Sequence, residues 1–309
     1  MPKLSIIVPV YFNEKNLTTT IPALQGVLGL LTEFEGELVF VDDGSADGSF
    51  GILQEFAARD PRIKIVRLVR NFGAYMALLA GLDHATGDCI AVIMADLQDP
   101  PELIVEMAQK WTAGSKLVLA ERTDREDAFI DRAFASVFWG FIRRFGIKTV
   151  PKGGFDFVLF DKCIADILRT MREKNSHFML QTVWTGYPPT IIPYTRRKRT
   201  AGKSKWTFSK KLKLFIDSSI SFSFIPIRAM SLFGAVTALI GFAFALYVLV
   251  TRIWLNIPVQ GYTSLMVALL IIGGLQMIMM GMIGEYIWRT FDETRRRPSY
   301  IVAEKINLN

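Results

Sequence analysis

Residues 89–102, CIAVIMADLQDPPE, pass from an apolar run to an acidic corner and then to a helix start. Cys89–Ala95 is short, apolar and partly β-branched, so it reads as a buried strand. Asp96 is the first polar group after it, and Pro100 and Pro101 suit a first helical turn, where no amide donor is needed. The same grammar recurs along the first half of the chain. Leu4–Val10, Glu37–Val41, Ile63–Leu68 and Leu117–Ala120 are further strand candidates, separated by helical patterns near residues 15–32, 47–59, 73–86, 101–113 and 127–145. This alternation predicts an α/β fold, a mostly parallel sheet with helices on both faces. Such sheets bind ligands at the carboxyl ends of their strands. The polar segments Tyr11-Phe12-Asn13-Glu14, Asp42-Asp43-Gly44-Ser45, Arg70-Asn71-Phe72-Gly73 and Asp96-Leu97-Gln98-Asp99 all fall there. Core packing does not explain four polar loops on one edge; a binding site does.

The rest of the 309-residue chain is different in kind. A hydrophobic fraction of 51% is high for a water-soluble enzyme, and the excess sits after Pro226. Ser231–Val250 and Thr263–Gly284 contain no charge, and each is long enough to span a hydrocarbon core of about 30 Å. Arg252–Tyr262, with Asn256, Pro258 and Gly261, reads as the turn of a two-span hairpin. Gly234 and Gly241 in one span, and Gly274 and Gly281 in the other, put small residues on one face of each helix, suited to close packing. The net charge of +7 is local as well. Arg196, Arg197, Lys198, Arg199, Lys203, Lys205, Lys210, Lys211 and Lys213 precede the first span, and Arg289, Arg295, Arg296 and Arg297 follow the second. Beside membrane spans, such a run favours anionic lipid over nucleic acid and places both chain ends in the cytoplasm. Residues 208–222, FSKKLKLFIDSSISF, fit a helix lying on the membrane surface, or an ordinary amphipathic helix of the sheet domain. The expected organisation is a catalytic domain over 1–207, a juxtamembrane helix over 208–229, spans near 231–251 and 263–285 within 230–290, and a cytoplasmic tail over 291–309.

Cys89 and Cys163 build no disulfide framework, and MPKLSIIVPV is no signal peptide, so a cytoplasmic sheet domain is expected. His84 and His177 are isolated in helical patterns and read as structural. Asp42-Asp43-Gly44-Ser45 can accept hydrogen bonds from a base or ribose, or can cap the next helix. Asp96 and Gln98, two apart at a strand end, supply the oxygen donors that a hard divalent ion takes. Arg70 and Arg122 follow strands and can fork onto phosphate oxygens. Asp156, in Gly153-Gly154-Phe155-Asp156-Phe157, is either a partly desolvated base or a turn acid. Arg199, Gly202, Ser204, Lys205 and Trp206 form a basic loop able to grip a lipid phosphate or merely to anchor at the surface.

The ordered series VPVYFNE, VDDGSADGS, RNFG, ADLQDPPE, FDF, RTAGKSKW and GEYIWRT resembles family 2 glycosyltransferases of the polyprenyl-phosphate type. That group includes bactoprenol glucosyltransferases, undecaprenyl-phosphate aminoarabinose transferases and dolichol-phosphate mannose synthases; the two C-terminal spans ending in GEY make the bactoprenol branch the nearest. The resemblance covers nearly the whole chain. It implies a GT-A fold, an inverting mechanism, a divalent Mg²⁺ or Mn²⁺, a nucleotide-sugar donor with UDP favoured over GDP, and a polyprenyl phosphate acceptor at the inner membrane. It implies that Pro9, Tyr11, Glu14, Asp42 and Asp43 line the nucleotide pocket, with Arg70 near its end. Asp96 and Gln98 would hold the metal and diphosphate, with Asp96 and Asp156 as the catalytic acids. Arg122, Arg199 and Lys205 match basic positions near the phosphates. Two departures stand out: Met94 replaces the first acid of D-x-D, and Val158 stands where bactoprenol enzymes tend to carry Arg. A processive polysaccharide synthase is the rival enzyme, but Gln181-Thr182-Val183-Trp184 lacks the Arg of its Q-x-x-R-W motif. A non-catalytic nucleotide-sugar-binding membrane module is the rival from another class. No nucleic-acid partner is expected, and a two-span hairpin is able to assemble into a homo-oligomer.

Overall fold

The computed structural model describes residues 1–124, 129–173, 176–196, 208–253 and 261–308. Eight strands form one sheet: β1 (Lys3–Val10), β2 (Glu35–Asp42), β3 (Ile63–Leu68), β4 (Cys89–Val92), β5 (Leu117–Asp124), β6 (Phe157–Asp161), β7 (Pro189–Thr195) and β8 (Val302–Ile306). Their spatial order is β7-β5-β6-β4-β1-β2-β3-β8. The four strands read most directly from sequence, β4-β1-β2-β3, lie side by side and parallel. Their carboxyl ends therefore share one edge. β6 runs antiparallel to both β4 and β5, while β7 is parallel to β5. Hence the end of β5, the start of β6 and the end of β7 reach that same edge.

Period-two burial explains the layers. Leu4, Ile6, Val8 and Val10 of β1 point into one apolar cluster with Leu17 and Ile21 of α1 (Glu14–Leu30), Leu53 of α2 (Ser49–Arg59) and Met107 of α4 (Leu103–Thr112). Ile7 points the other way, into a cluster with Leu79 of α3 (Ala74–His84), Ile142 of α5 (Phe129–Phe145), Leu168 of α6 (Lys162–Thr170) and Leu180 of α7 (Phe178–Trp184). The sheet is thus buried on both faces, the condition under which strands carry continuous apolar runs. The two histidines are structural: His84 Nδ1 lies 2.8 Å from Ala80 O, and His177 caps α7 by accepting from Leu180 N.

β4 ends at Val92, three residues short of the Cys89–Ala95 expected, and its last pairing is with Ile7. β5 instead runs past Ala120 to Asp124, because β7 continues to pair with it. β6, β7 and β8 were not read from the sequence. The tail returns to the sheet, where β8 pairs antiparallel with β3.

By contact the chain divides into Met1–Phe222 with Pro298–Asn309, and Ser223–Arg297. The first unit includes α8 (Phe208–Phe222), whose Phe215 packs on Phe138 and Phe141 of α5. By contact α8 belongs with the sheet unit, the second of the two readings open for residues 208–222, and so does the tail from Pro298, which was expected as a separate segment. The second unit contains α9 (Ile225–Ile253) and α10 (Tyr262–Thr294). Their apolar stretches, Ile225–Val248 and Ser264–Thr294, are long enough to cross a membrane and almost wholly unburied.

Candidate active site

The corner after β1 and the corner after β2 are tied together. Phe12 N donates to Ser45 Oγ (3.1 Å), Asn13 N to Ser49 Oγ (2.9 Å) and Gly48 N to Glu14 Oε2 (3.2 Å). Each such bond is worth about 1 kcal/mol, so the set outweighs the cost of the left-handed turn at Phe12 (φ 55°). Tyr11 is left 38% exposed with its ring edge on Phe12. Pro9 pairs with Val41 beyond the last residue of β4, where the connections on the two sides of β1 diverge. In open α/β sheets this switch point is the ligand crevice.

The two aspartates of the second corner differ in what they hold. Asp42 is fully buried at the end of β2. Its Oδ1 accepts from Ser45 N (3.1 Å), its Oδ2 has no hydrogen-bond donor, and Arg67 Nε stands 3.7 Å away. Burial pushes its carboxyl above the usual range, against the Ser45 bonds. Asp43 spends both oxygens on the next loop, accepting from Phe72 N (2.7 Å) and Gly73 N (2.9 Å). Burial raises its carboxyl as well. Arg70 in that loop stacks over Phe72, with 4.0 Å to the ring centroid.

Beyond β4, Leu97 takes φ 50° and turns the chain between Asp96 and Gln98, both half-buried. Met94 packs into the apolar cluster on the α3 face. Among the described residues no three His, Cys, Asp or Glu side chains gather around one point. With the Asp99 carboxylate buried, Asp96 and Gln98 leave one carboxylate and one amide side chain half-buried at this corner. That fits a hard divalent ion completed by diphosphate and water oxygens, and a thioether at 94 adds nothing to it.

Asp156, immediately before β6, forms an ion pair with Arg122. Its approach is rigid: Gly153 N donates to Glu121 Oε1 (2.7 Å), and Gly154 takes φ 70° against the Trp139 indole. Arg122 Nε also reaches Tyr194 Oη (3.4 Å), and Tyr194 donates to Asp99 Oδ1 (2.5 Å). Burial, then the Asp99 charge, push the Tyr194 phenol up, so it stays a neutral donor. Of the residues expected in the site, Arg122 thus stands with Asp156, three strands from β1 and away from Asp42 and Arg70. Arg199 and Lys205 lie outside the described residues. Tyr194 was not singled out from the sequence. A cleft of about 490 Å³ near Leu31, Phe34 and Val105 is at the opposite strand ends and contains none of these groups.

The sheet is covered by helices on both faces, and its carboxyl edge carries Asp42 at the end of β2, the Asp96–Gln98 corner after β4 and the ion-paired Asp156 before β6. The Glycosyl transferase family 2 profile matches residues 5–165, more than half of the chain, and the chain belongs to that family. A GtrB C-terminal hairpin profile matches residues 225–289. The chain is 37% identical over 301 residues to a prophage bactoprenol glucosyl transferase homolog of Escherichia coli K12, covering 97% of this chain and 98% of the relative. It is 35% identical over 304 residues to the bactoprenol glucosyl transferase of Shigella phage SfV, covering 98% and 99%. Among solved structures, the glucosyl-3-phosphoglycerate synthase of Mycobacterium tuberculosis, in complex with Mn²⁺, UDP and glucosyl-3-phosphoglycerate, shares the fold. Its TM-score is 0.51 at 14% identity, over 70% of this chain and 78% of that one.

Proposed function

We propose that the protein transfers a hexose-type sugar from a UDP-sugar to undecaprenyl phosphate, with inversion, on the cytoplasmic face of the plasma membrane. One observation carries the reading: the polar groups follow the order of the parts of such a substrate pair along the sheet edge. Asp42 on β2 and Tyr11 and Glu14 after β1 suit the nucleoside. Asp96 and Gln98 after β4 suit the diphosphate, and Asp156 and Arg122 at β6 and β5 suit the acceptor end. Neighbouring strands are about 4.8 Å apart, so from β2 to β6 this edge spans about 14 Å, the scale of a nucleotide-sugar. The names of the two bactoprenol relatives, similar over their whole lengths, support the lipid acceptor.

The chemistry asks more of charge than of proton transfer. A phosphate monoester has a second pKa near 6, so the acceptor is already mostly dianionic at neutral pH. Its oxygen attacks the anomeric carbon as the bond from that carbon to the diphosphate oxygen breaks, and the nucleoside diphosphate leaves with the electron pair. No proton has to be removed. Asp156 and Arg122 therefore orient the acceptor, and Arg122 offsets repulsion between two anions. Asp96 and Gln98 would hold a divalent ion, which would supply positive charge to the leaving diphosphate.

Two crossings by α9 and α10 return the chain to the side from which it left. The pairing of β8 with β3 supports that return, and the arginines flanking the spans favour the cytoplasm. The test is a donor panel of UDP- and GDP-sugars with undecaprenyl phosphate, with and without Mn²⁺ or Mg²⁺. Lipid-linked product is expected from one donor, lost with chelator, and lowered about 100-fold or more by Asp96→Ala or Asp156→Ala. No product from any donor, or near-normal transfer by Asp156→Ala, sinks the assignment.

A further inference from the structure

The corner that carries Asp96 and the Arg122–Asp156 pair are joined by buried polar contacts that the transfer chemistry does not itself use. Asp99, three residues after Asp96, is 1% exposed. Its Oδ1 accepts from Tyr194 Oη, Arg196 Nε stands 3.6 Å from the same oxygen, and its Oδ2 has no hydrogen-bond donor. A buried carboxylate costs several kcal/mol unless well paired, so an apolar residue here would be cheaper for folding alone. Tyr194 is the junction. It lies directly across from Arg122 in the β5–β7 register, donates to Asp99 and accepts from Arg122 Nε, which in turn holds Asp156. Its backbone is fixed too, since Thr123 Oγ1 donates to Tyr194 O (3.1 Å).

We propose that Tyr194 is a positioning residue whose phenol locks the Asp96–Asp99 corner to the Arg122–Asp156 pair, setting the spacing between donor-side and acceptor-side groups. A phenylalanine at 194 fills the same space but leaves Asp99 facing a ring and Arg122 without one of its two anchors. The loss is one of placement: an error of about 1 Å at reacting groups costs about 100-fold in rate. The activity arm of this inference rests on the proposed reaction; the binding arm does not.

The test compares Tyr194→Phe, Asp99→Asn and the double variant, each quantified per nucleotide-binding site so that misfolded protein does not count. Tyr194→Phe is expected to lower kcat about tenfold or more, with the KM for undecaprenyl phosphate within about twofold, a split that loss of folded protein does not produce. In calorimetry with Mn²⁺ and UDP or GDP, each single variant should weaken binding about threefold or more, and the double no further than the worse single. Additive losses overturn the inference, as does a Tyr194→Phe protein with normal nucleotide affinity and normal kcat. Wild-type protein that binds nucleotide but transfers nothing to the lipid sinks the proposed acceptor and leaves the binding cycle to decide. Wild-type protein that binds neither nucleotide overturns both.

Discussion

At Gly44 the backbone takes φ 68°, and a Cβ added there would stand 2.5 Å from the carbonyl carbon of Arg70 and 2.7 Å from its Cα. Those are backbone atoms in a loop that Asp43 already clamps, so they cannot yield as the tip of a long side chain would. Gly44→Ala therefore combines about 1–2 kcal/mol of left-handed strain with a displaced Arg70 loop. The expected result is a nucleotide affinity lowered about tenfold with a thermal midpoint lowered by only a few degrees, measured by calorimetry and a thermal scan. Unchanged affinity would show that the Arg70 loop takes no part in the pocket. Asp-Asp-Gly-Ser was legible in the sequence as a polar corner. Which aspartate is spent on the next loop was not, because the partners of Asp43 are backbone amides 29 and 30 residues further on. Tyr194 was illegible for the same reason: its partners, Asp99 and Arg122, are 95 and 72 residues away.

β1 to β5 were legible because each holds an apolar run, and burial on both faces allows that run. β6, FVLFD, is a buried run of the same kind as β4, and a run that short does not by periodicity distinguish a strand from a buried helix segment. β7, PTIIPYT, is interrupted by two prolines, and β8, VAEKI, carries Glu304 and Lys305 on an exposed edge, where charge discourages pairing with other chains. β8 is nevertheless held. Asn307 Nδ2 donates to Ala57 O and Ile63 O, both at 2.9 Å, Val69 N donates to Ile301 O, and Tyr300 Oη donates to Asp83. Asn307 itself has φ 55°, a conformation that asparagine tolerates better than most residues. Asn307→Ala leaves two carbonyls without their donor and should cost about 1–3 kcal/mol. In denaturant titration this variant should lose stability by that amount while α9 and α10 keep their helicity. No loss would mean that β8 only rests on β3.

Two explanations exist for a pair of long apolar helices: they form the core of a soluble globule, or they sit in lipid. The expectation of membrane spans would have failed had the chain after Pro226 been buried, but the apolar windows of α9 and α10 are 6% and 0% buried. Leu239, Phe242, Ile271 and Ile278 are each more than 60% exposed. Soluble monomers rarely expose contiguous apolar patches beyond a few hundred Å², so water is the wrong solvent for this unit. The two settings respond oppositely to one change. In water, Leu239→Arg replaces an exposed apolar side chain and improves solubility. In a bilayer the same arginine sits within a span and costs about 2.5–3.5 kcal/mol of insertion. The matched control is Leu30→Arg, since Leu30 is 66% exposed on the sheet unit and Leu239 is 70% exposed. Membrane fractionation should show Leu239→Arg depleted from carbonate-washed membranes about tenfold or more and Leu30→Arg unaffected. If Leu239→Arg instead stayed in the membrane pellet at wild-type level, α9 would not cross as a span. The proposed supply of acceptor from the bilayer would then lose the support that α9 gives it.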